Sequence, residues 1–528
     1  MPIADHIPTP PLAAEDSAPA ARGTAAGALR LLALVPALGF LLTLLSPPLN
    51  HDVAAILSFA ERWLGGERLY IDLIDANPPL IFVLTLLPAA IGAWTPLGAV
   101  PALLLCLLGL CALAAGVALR LARGRAEAPI EAAVLSVVLP LLTLSASYDF
   151  GQREHLMAVL ALPYLLLAAR RLEGVGSGPG ITLGAAALAA LGFALKPHFL
   201  AIPALVELLV LLGRGPWRAV RDPVPWLMAA LWLAYLVAIP LAFPAYFGQV
   251  LPLIRDLYLG LGGFAWWQVL LTERLGTALM LLLPLGIVAF RPSWGALPRV
   301  LVLAALGATL AAVVQHKGWT YHALPVRIFA GLLAVVLAAR WLEWALPPGR
   351  LAGVAPGAAA VAAFAIGLHG FAGAEAPWRE ITWSWSRAGA VSALLKREAH
   401  GERLLVLSPD IFPVYPALNY AHAQSTLRTM NLWLLQGVNA ECPDGGHRYR
   451  PSHAMSRTEF FVYRTVAEDF ARAPPAAILV SRNPGIPRCG EEFDFLDYFS
   501  RHPLFAETLR RYRPVAEIEG YRLLRRED

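Results

Sequence analysis

Residues 50–80 read NHDVAAILSFAERWLGGERLYIDLIDANPPL, and this stretch decides how the rest of the chain is organised. It opens on a His-Asp pair, runs through an amphipathic segment, turns at Gly65-Gly66 and closes on Asn77-Pro78-Pro79. Its surroundings are of another kind. The 528 residues are 58% hydrophobic and only 15% charged, whereas a soluble domain carries about 25% charged residues. A membrane-spanning helix needs about 20 apolar residues. Runs of that kind begin near Leu29, Gly98, Ile130, Leu156, Ile181, Phe199, Val224, Leu275, Val300, Leu324 and Leu351. The expected fold is a polytopic α-helical membrane protein of about eleven spans, thirteen if a short pair escapes the count, with a C-terminal extracytoplasmic α/β domain. The polar stretch at 50–80 is then a loop after the first span.

Charge orients the chain. Lys and Arg number 42 against 37 Asp and Glu, a net +5, too small an excess for a nucleic-acid partner. The arginines are placed unevenly. Arg22 and Arg30 precede the first span, Arg120, Arg123 and Arg125 follow the second, and Arg170 and Arg171 follow the fourth. Arg214, Arg218 and Arg221 follow the sixth, and Arg291, Arg299, Arg340 and Arg350 flank later turns. Cationic loops stay in the cytoplasm. These clusters share one side only if the apolar segment from Pro79 to Trp94 does not cross. It is therefore expected to be an interfacial or re-entrant helix on the outer side. The protein then sits in the plasma (inner) membrane as a multi-pass chain with a cytoplasmic N-terminus.

Three regions follow from this. Residues 1–28, rich in Pro and Ala, form a disordered cytoplasmic tail. Residues 29–372 form the transmembrane unit, and 373–528 a soluble extracytoplasmic α/β domain. In the last region the periodicity predicts helices at 387–398 and 466–472, strands at 403–408 and 477–481, and a hairpin-like pair at 513–524. Cys442 and Cys489 lie there, in an oxidising compartment; a disulfide and two free thiols both fit the sequence.

The outer loops 50–78, 147–155, 196–198, 243–274 and 315–322 hold nearly all the acids, lysines and histidines of the membrane half. Ionisable groups at membrane depth are costly and face cavities or partners. Asp52, at the water–membrane boundary, suits a general base for a hydroxyl, and equally suits an N-cap for the helix that follows. Asp149 and Glu154 are alternative acids in the second loop, able to orient an acceptor, bind a sugar or ligate a divalent ion. Arg153 beside them offers a fork for phosphate oxygens, next to His155. Lys196, followed by His198, is either a cation for a phosphate or a snorkelling helix end. His316, Lys317, Tyr321 and His322 form a floor for a phosphate and a sugar ring; His-x5-His is a weak metal signal. No metal is required, although a divalent cation is compatible.

An Asp just after the first span, then Gly65-Gly66-Glu67-Arg68-Leu69-Tyr70 with Asp72, then Asn77-Pro78-Pro79-Leu80, resembles the first loop of the GT-C superfamily. The similarity is to the polyprenyl-phosphate-sugar-dependent transferases of the protein O-mannosyltransferase and lipid A aminoarabinose transferase group. Asn77 stands where such families carry Lys or His. The resemblance implies a glycosyltransferase that takes a sugar from a polyprenyl-phosphate donor to a lipid, glycan or protein acceptor outside the cytoplasm. It implies Asp52 as the catalytic base and Asp149 as the second acid. A transporter or flippase for a lipid-linked glycan is the rival, disfavoured because the polar residues crowd one face and not the midplane.

The topology has a direct check. Cysteines introduced at Gly318 and near Gly373 should react with a membrane-impermeant maleimide in intact cells, and one near Arg123 should not. Labelling of the Arg123 position alone would reverse the assignment.

Overall fold

The computed structural model describes residues 49–123, 128–144, 146–346, 354–363, 382–443 and 448–527. The expected N-terminal tail and the span beginning near Leu29 lie outside the described residues. The loop at 50–80 forms helix α1 (His51–Leu64) and a tight turn stretch. Then come α2 (Pro79–Trp94), α3 (Ala99–Ala122), α4 (Pro129–Leu144), α5 (Arg153–Leu172), α6 (Pro179–Ala194), α7 (Ala201–Arg214) and α8 (Pro223–Ala242). The bundle continues with α9 (Glu273–Ala289), α10 (Ala296–Val314), α11 (Leu324–Ala345) and α12 (Val354–Ala363). Six helical stretches among the described residues are long and apolar enough to cross a membrane, and α2, α4, α6 and α12 are shorter apolar helices. The chain is a membrane-embedded helical protein.

Two polar layers cap the bundle. At one end Gln152, just before α5, donates to Asp52 at 2.8 Å, and Lys196 donates to Glu154 at 2.5 Å and to Gln315 at 3.2 Å. At the other end Arg170 donates to the carbonyls of Leu121 and Arg123, and Arg171 to Glu207 and Asp222. Arg214 joins Asp222, and Arg340 joins Glu131 and the carbonyl of Trp294. The arginine-rich loops thus gather at one end and the acid- and lysine-bearing loops at the other, as the charge pattern predicts.

Helix α2 fits this parity. Its start is tied to the first loop, where the Tyr70 hydroxyl donates to the Asn77 carbonyl at 2.6 Å. Its end lies against the start of α3, so that a Cβ on Gly92 would meet the Ala99 backbone at 2.4 Å. The other end of α3 sits beneath Arg170. Helix α2 therefore begins and ends in the layer that holds Asp52.

The C-terminal region folds around a five-stranded sheet of order β2-β1-β3-β5-β4. Its strands are β1 (Arg403–Leu407), β2 (Gln424–Ser425), β3 (Ala477–Ser481), β4 (Tyr512–Ile518) and β5 (Tyr521–Arg526). Strand β1 runs parallel to β2 and β3, and β5 pairs antiparallel with β3 and β4. The helix expected at 387–398 forms over Arg387–Glu398; the one expected at 466–472 begins earlier and spans Arg457–Arg472. Ser456 caps it by accepting from the Glu459 amide at 3.1 Å, a signal the periodicity passes over. Cys442 and Cys489 are joined in a disulfide with their Cα atoms 5.5 Å apart.

This sheet region docks on the first loop. Buried Arg62 donates to the Leu427 carbonyl at 2.8 Å and Ile74 to the Arg428 carbonyl at 2.6 Å. The Asn419 amide donates to the Ala54 carbonyl at 3.0 Å. Helix α1 is therefore held between the bundle and the sheet, which explains why most of it is buried although its sequence is amphipathic.

Candidate active site

The site is built on the first turn of α1. Asn50 caps this helix: its Oδ1 accepts from the Asp52 and Val53 amides at 2.9 and 3.4 Å. The capping alternative for Asp52 is thereby excluded, because the neighbouring amide does that work. Asp52 is left with its carboxylate free to turn inward. Its Oδ2 accepts from Gln152 Nε2 at 2.8 Å and lies 3.8 Å from Arg153 Nη2, while Oδ1 lies 3.7 Å from His51 Nε2. Burial acts to raise the Asp52 pKa, but His51, Arg153, the Gln152 hydrogen bond and Lys196 together hold it below the ordinary carboxylate value. The helix N-terminus adds to this. Asp52 is an anion at neutral pH.

The loop before α5 reaches Asp52 because of Gly151. Its φ is +85°, and a Cβ there would meet Leu107 at 2.8 Å and Val53 at 3.3 Å. Only glycine lets the loop lie against Val53, and so places Gln152 and Arg153 over the carboxylate. Arg153 is buried, and its Nε has no hydrogen-bond partner among the described residues. Glu154, 1% exposed, is bound to Lys196 through Oε1 while its Oε2 is unpartnered. Burial pushes the Lys196 ammonium down to about 8, with Glu154 and Asp52 opposing the fall.

The remaining expected residues divide. Asp149, in the turn Ser147–Asp149, lies 3.9 Å from Arg274 Nη1. His322 lies 3.7 Å from Glu154, with Tyr321 packed edge-on against its ring. His198 stays near Lys196 on the same short turn, edge-on to Phe199. His155 is fully buried; its Nδ1 accepts from the Gly151 amide at 3.1 Å and its Nε2 donates to the Thr143 carbonyl at 2.9 Å. Both nitrogens serve the fold, so the substrate contact expected of His155 is not available. His316 likewise donates from Nδ1 to the Phe264 carbonyl at 3.0 Å and ties two loops together. Lys317 is a latch: its ammonium donates to the carbonyls of Tyr258 and Leu261 at 2.7 and 3.2 Å and sits 3.7 Å above the Tyr258 ring.

Sequence reasoning missed Gln152 and Asp75. Asp75 is 8% exposed and accepts from the Asn77 amide and side chain at 2.8 and 2.7 Å. Burial raises its pKa, with the Asn77 backbone bond and Arg153 opposing and Asp52 adding to the rise. The two acids thus sit in one electrostatic field with opposite tendencies. The signal available was the Asp-x-Asn spacing before Pro78, which makes a local Asx turn. Among the described residues no three His, Cys, Asp or Glu side chains come together as metal ligands.

No protein-family model matches the chain, and no curated protein sequence matches it. Its architecture does have a counterpart. The crystal structure of ArnT from Cupriavidus metallidurans in the apo state aligns with 95% of this chain and 98% of that one, at 15% identity and a TM-score of 0.51. The fold is GT-C-like. The same ArnT bound to undecaprenyl phosphate aligns over 94% of this chain and 97% of that one, at 14% identity and a TM-score of 0.47. Within this GT-C-like fold the acids and cations gather on the loops at one end of the bundle.

The latch role separates Lys317 from Lys196. Lys317→Met should destabilise the protein by about 1.5 to 3 kcal/mol, the worth of hydrogen bonds made by a buried charged donor. The same change at exposed Lys396 should stay within about 0.5 kcal/mol. Thermal melts of the two variants check this; equal melting temperatures would remove the latch.

Proposed function

We propose that the chain is a polyprenyl-phosphate-sugar-dependent glycosyltransferase of the plasma membrane. It moves a hexose or pentose from the lipid phosphate to a hydroxyl of a lipid, glycan or protein on the extracytoplasmic face. The observation that carries this reading is the placement of ionised Asp52 against Arg153, whose Nε is unpartnered, with Lys196 behind it. A base with a pair of cations beside it is what transfer from a phosphate leaving group requires. The GT-C-like fold supports a lipid-linked sugar transferase in general.

The acceptor hydroxyl gives its proton to Asp52 as its oxygen bonds to the anomeric carbon. The bond from that carbon to the phosphate oxygen breaks, and the polyprenyl phosphate leaves with the electron pair. Arg153 and Lys196 receive the negative charge that develops. Attack opposite the phosphate inverts the sugar carbon. Arg153 also couples the two halves. In the free protein it helps hold the Asp52 pKa down; drawn toward a bound phosphate, it releases that hold and leaves Asp52 a stronger base. Glu154 keeps Lys196 in place, and Asp149 with Arg274 borders the same layer. The sheet region, within residues 382–443 and 448–527, acts in this reading as an extracytoplasmic domain clamping the first loop.

Asp52→Asn keeps a group able to accept from Gln152 but removes the base. Transfer by the purified variant should fall by about 10²-fold or more, with an unchanged melting temperature. Full activity would sink the assignment.

The lysine sets a pH limit. Lys196 is charged below about 8 and neutral above it, so donor affinity should fall as pH rises through that value. Lys196→Arg stays charged throughout and should flatten the profile. Lys317 is also lowered to about 8 by burial, so Lys317→Arg serves as the control and should leave the fall in place. Donor titrations from pH 7 to 9.5 decide between the two lysines.

A further inference from the structure

Beside the buried network lies a cleft of about 280 Å³, between the start of α9 and the loop that leads into α11. Its polar lining comes from Thr272, Glu273, Arg274, Thr320 and His322, and its aromatic wall from Trp319. Small-molecule pockets run from about 300 to 1,000 Å³, so the space suits one monosaccharide and not a lipid chain.

His322 is the informative side chain. It is 3% exposed, and neither ring nitrogen has a hydrogen-bond partner among the described residues. A buried imidazole with both nitrogens unused is costly, and native proteins rarely tolerate it. Its Nε2 lies 3.7 Å from Glu154 Oε1, too far for a hydrogen bond, and Glu154 Oε2 is unpartnered as well. His322 thus brings unused hydrogen-bonding capacity to the wall of the cleft, with the Glu154 carboxylate beside its ring. A ligand hydroxyl in the cleft can bond to the imidazole. Trp319 gives the cleft a flat apolar face for the C–H side of a sugar ring.

Position assigns the occupant. His322, which lines the cleft, lies 3.7 Å from the Glu154 carboxylate that holds Lys196 at 2.5 Å, so the cleft borders the cationic side of the network. We propose that this cleft seats the pyranose of the lipid-phosphate donor, with His322 reading its hydroxyls and Trp319 stacking on the ring. The proposal rests on the glycosyltransferase reading and names the part of the site that selects the sugar.

The test is a titration of the purified full chain with a polyprenyl phosphate carrying no sugar, and with the same lipid phosphate carrying a hexose or a pentose. The wild type should bind a sugar-bearing lipid more tightly than the bare one. His322→Asn should weaken the sugar-bearing lipid by about tenfold and leave the bare lipid phosphate unchanged. Thr320→Phe narrows the cleft from an exposed rim position and should give the same selective loss; it decides the matter if His322→Asn does not fold. An equal loss on both lipids, or a wild type indifferent to the sugar, would overturn the cleft assignment alone. No binding of any lipid phosphate by the wild type would overturn the donor reading and this one with it.

Discussion

The structure depends on keeping several charges buried together at one end of a helix bundle. Asp52, Arg153, Glu154 and Lys196 all lie in or beside apolar packing, with Glu154 1% and Lys196 7% exposed. None of them is affordable alone, since desolvating a single ion costs several kcal/mol even after relaxation. They persist because each finds an opposite charge or an amide: Asp52 has Gln152 and Arg153, and Glu154 has Lys196. Such a network contributes little to net stability compared with apolar packing. Its assembly from three separate loops points to chemistry.

The rest of the fold serves that placement. Asn50 satisfies the first amides of α1 and frees Asp52. Gly151 brings the second loop against Val53, and His155 fixes that loop to Thr143 and its own backbone. Lys317 and His316 bind the last two loops to each other through carbonyls. The sheet region then clamps α1 from outside through Arg62, Ile74 and Asn419. Histidines and a lysine that look like ligands are thus partly fasteners, and the amides beside them carry more of the site than their neutral chemistry announces.

In the proposed mechanism Arg153 has two duties that compete. It lies 3.8 Å from Asp52 in the free protein, and in that mechanism its rigid planar donor, with Nε unpartnered, turns to the phosphate. Competition of this kind links binding to reactivity, because the base strengthens only when the anion arrives. Asp75, with its raised pKa in the same field, shows that the site sustains two carboxyl groups of different proton affinity.

The sequence by itself determined the class of the protein and the two-ended segregation of charge. These follow from composition, run length and the cost of moving cations across a bilayer, which act locally. It also pointed to Asp52, Arg153, Glu154 and Lys196, because ionisable groups between apolar runs are expensive wherever they land. Tertiary structure decided the division of labour. That Asn50 and not Asp52 is the cap, that Gln152 and Asp75 belong to the site, and that His155, His316 and Lys317 spend their donors on backbone carbonyls could not be read from spacing. A hydrogen bond is fixed by ångström-scale distance and direction between groups far apart in the chain, and only the packed bundle brings residues such as Asp52 and Gln152, or Lys196 and Gln315, within that reach.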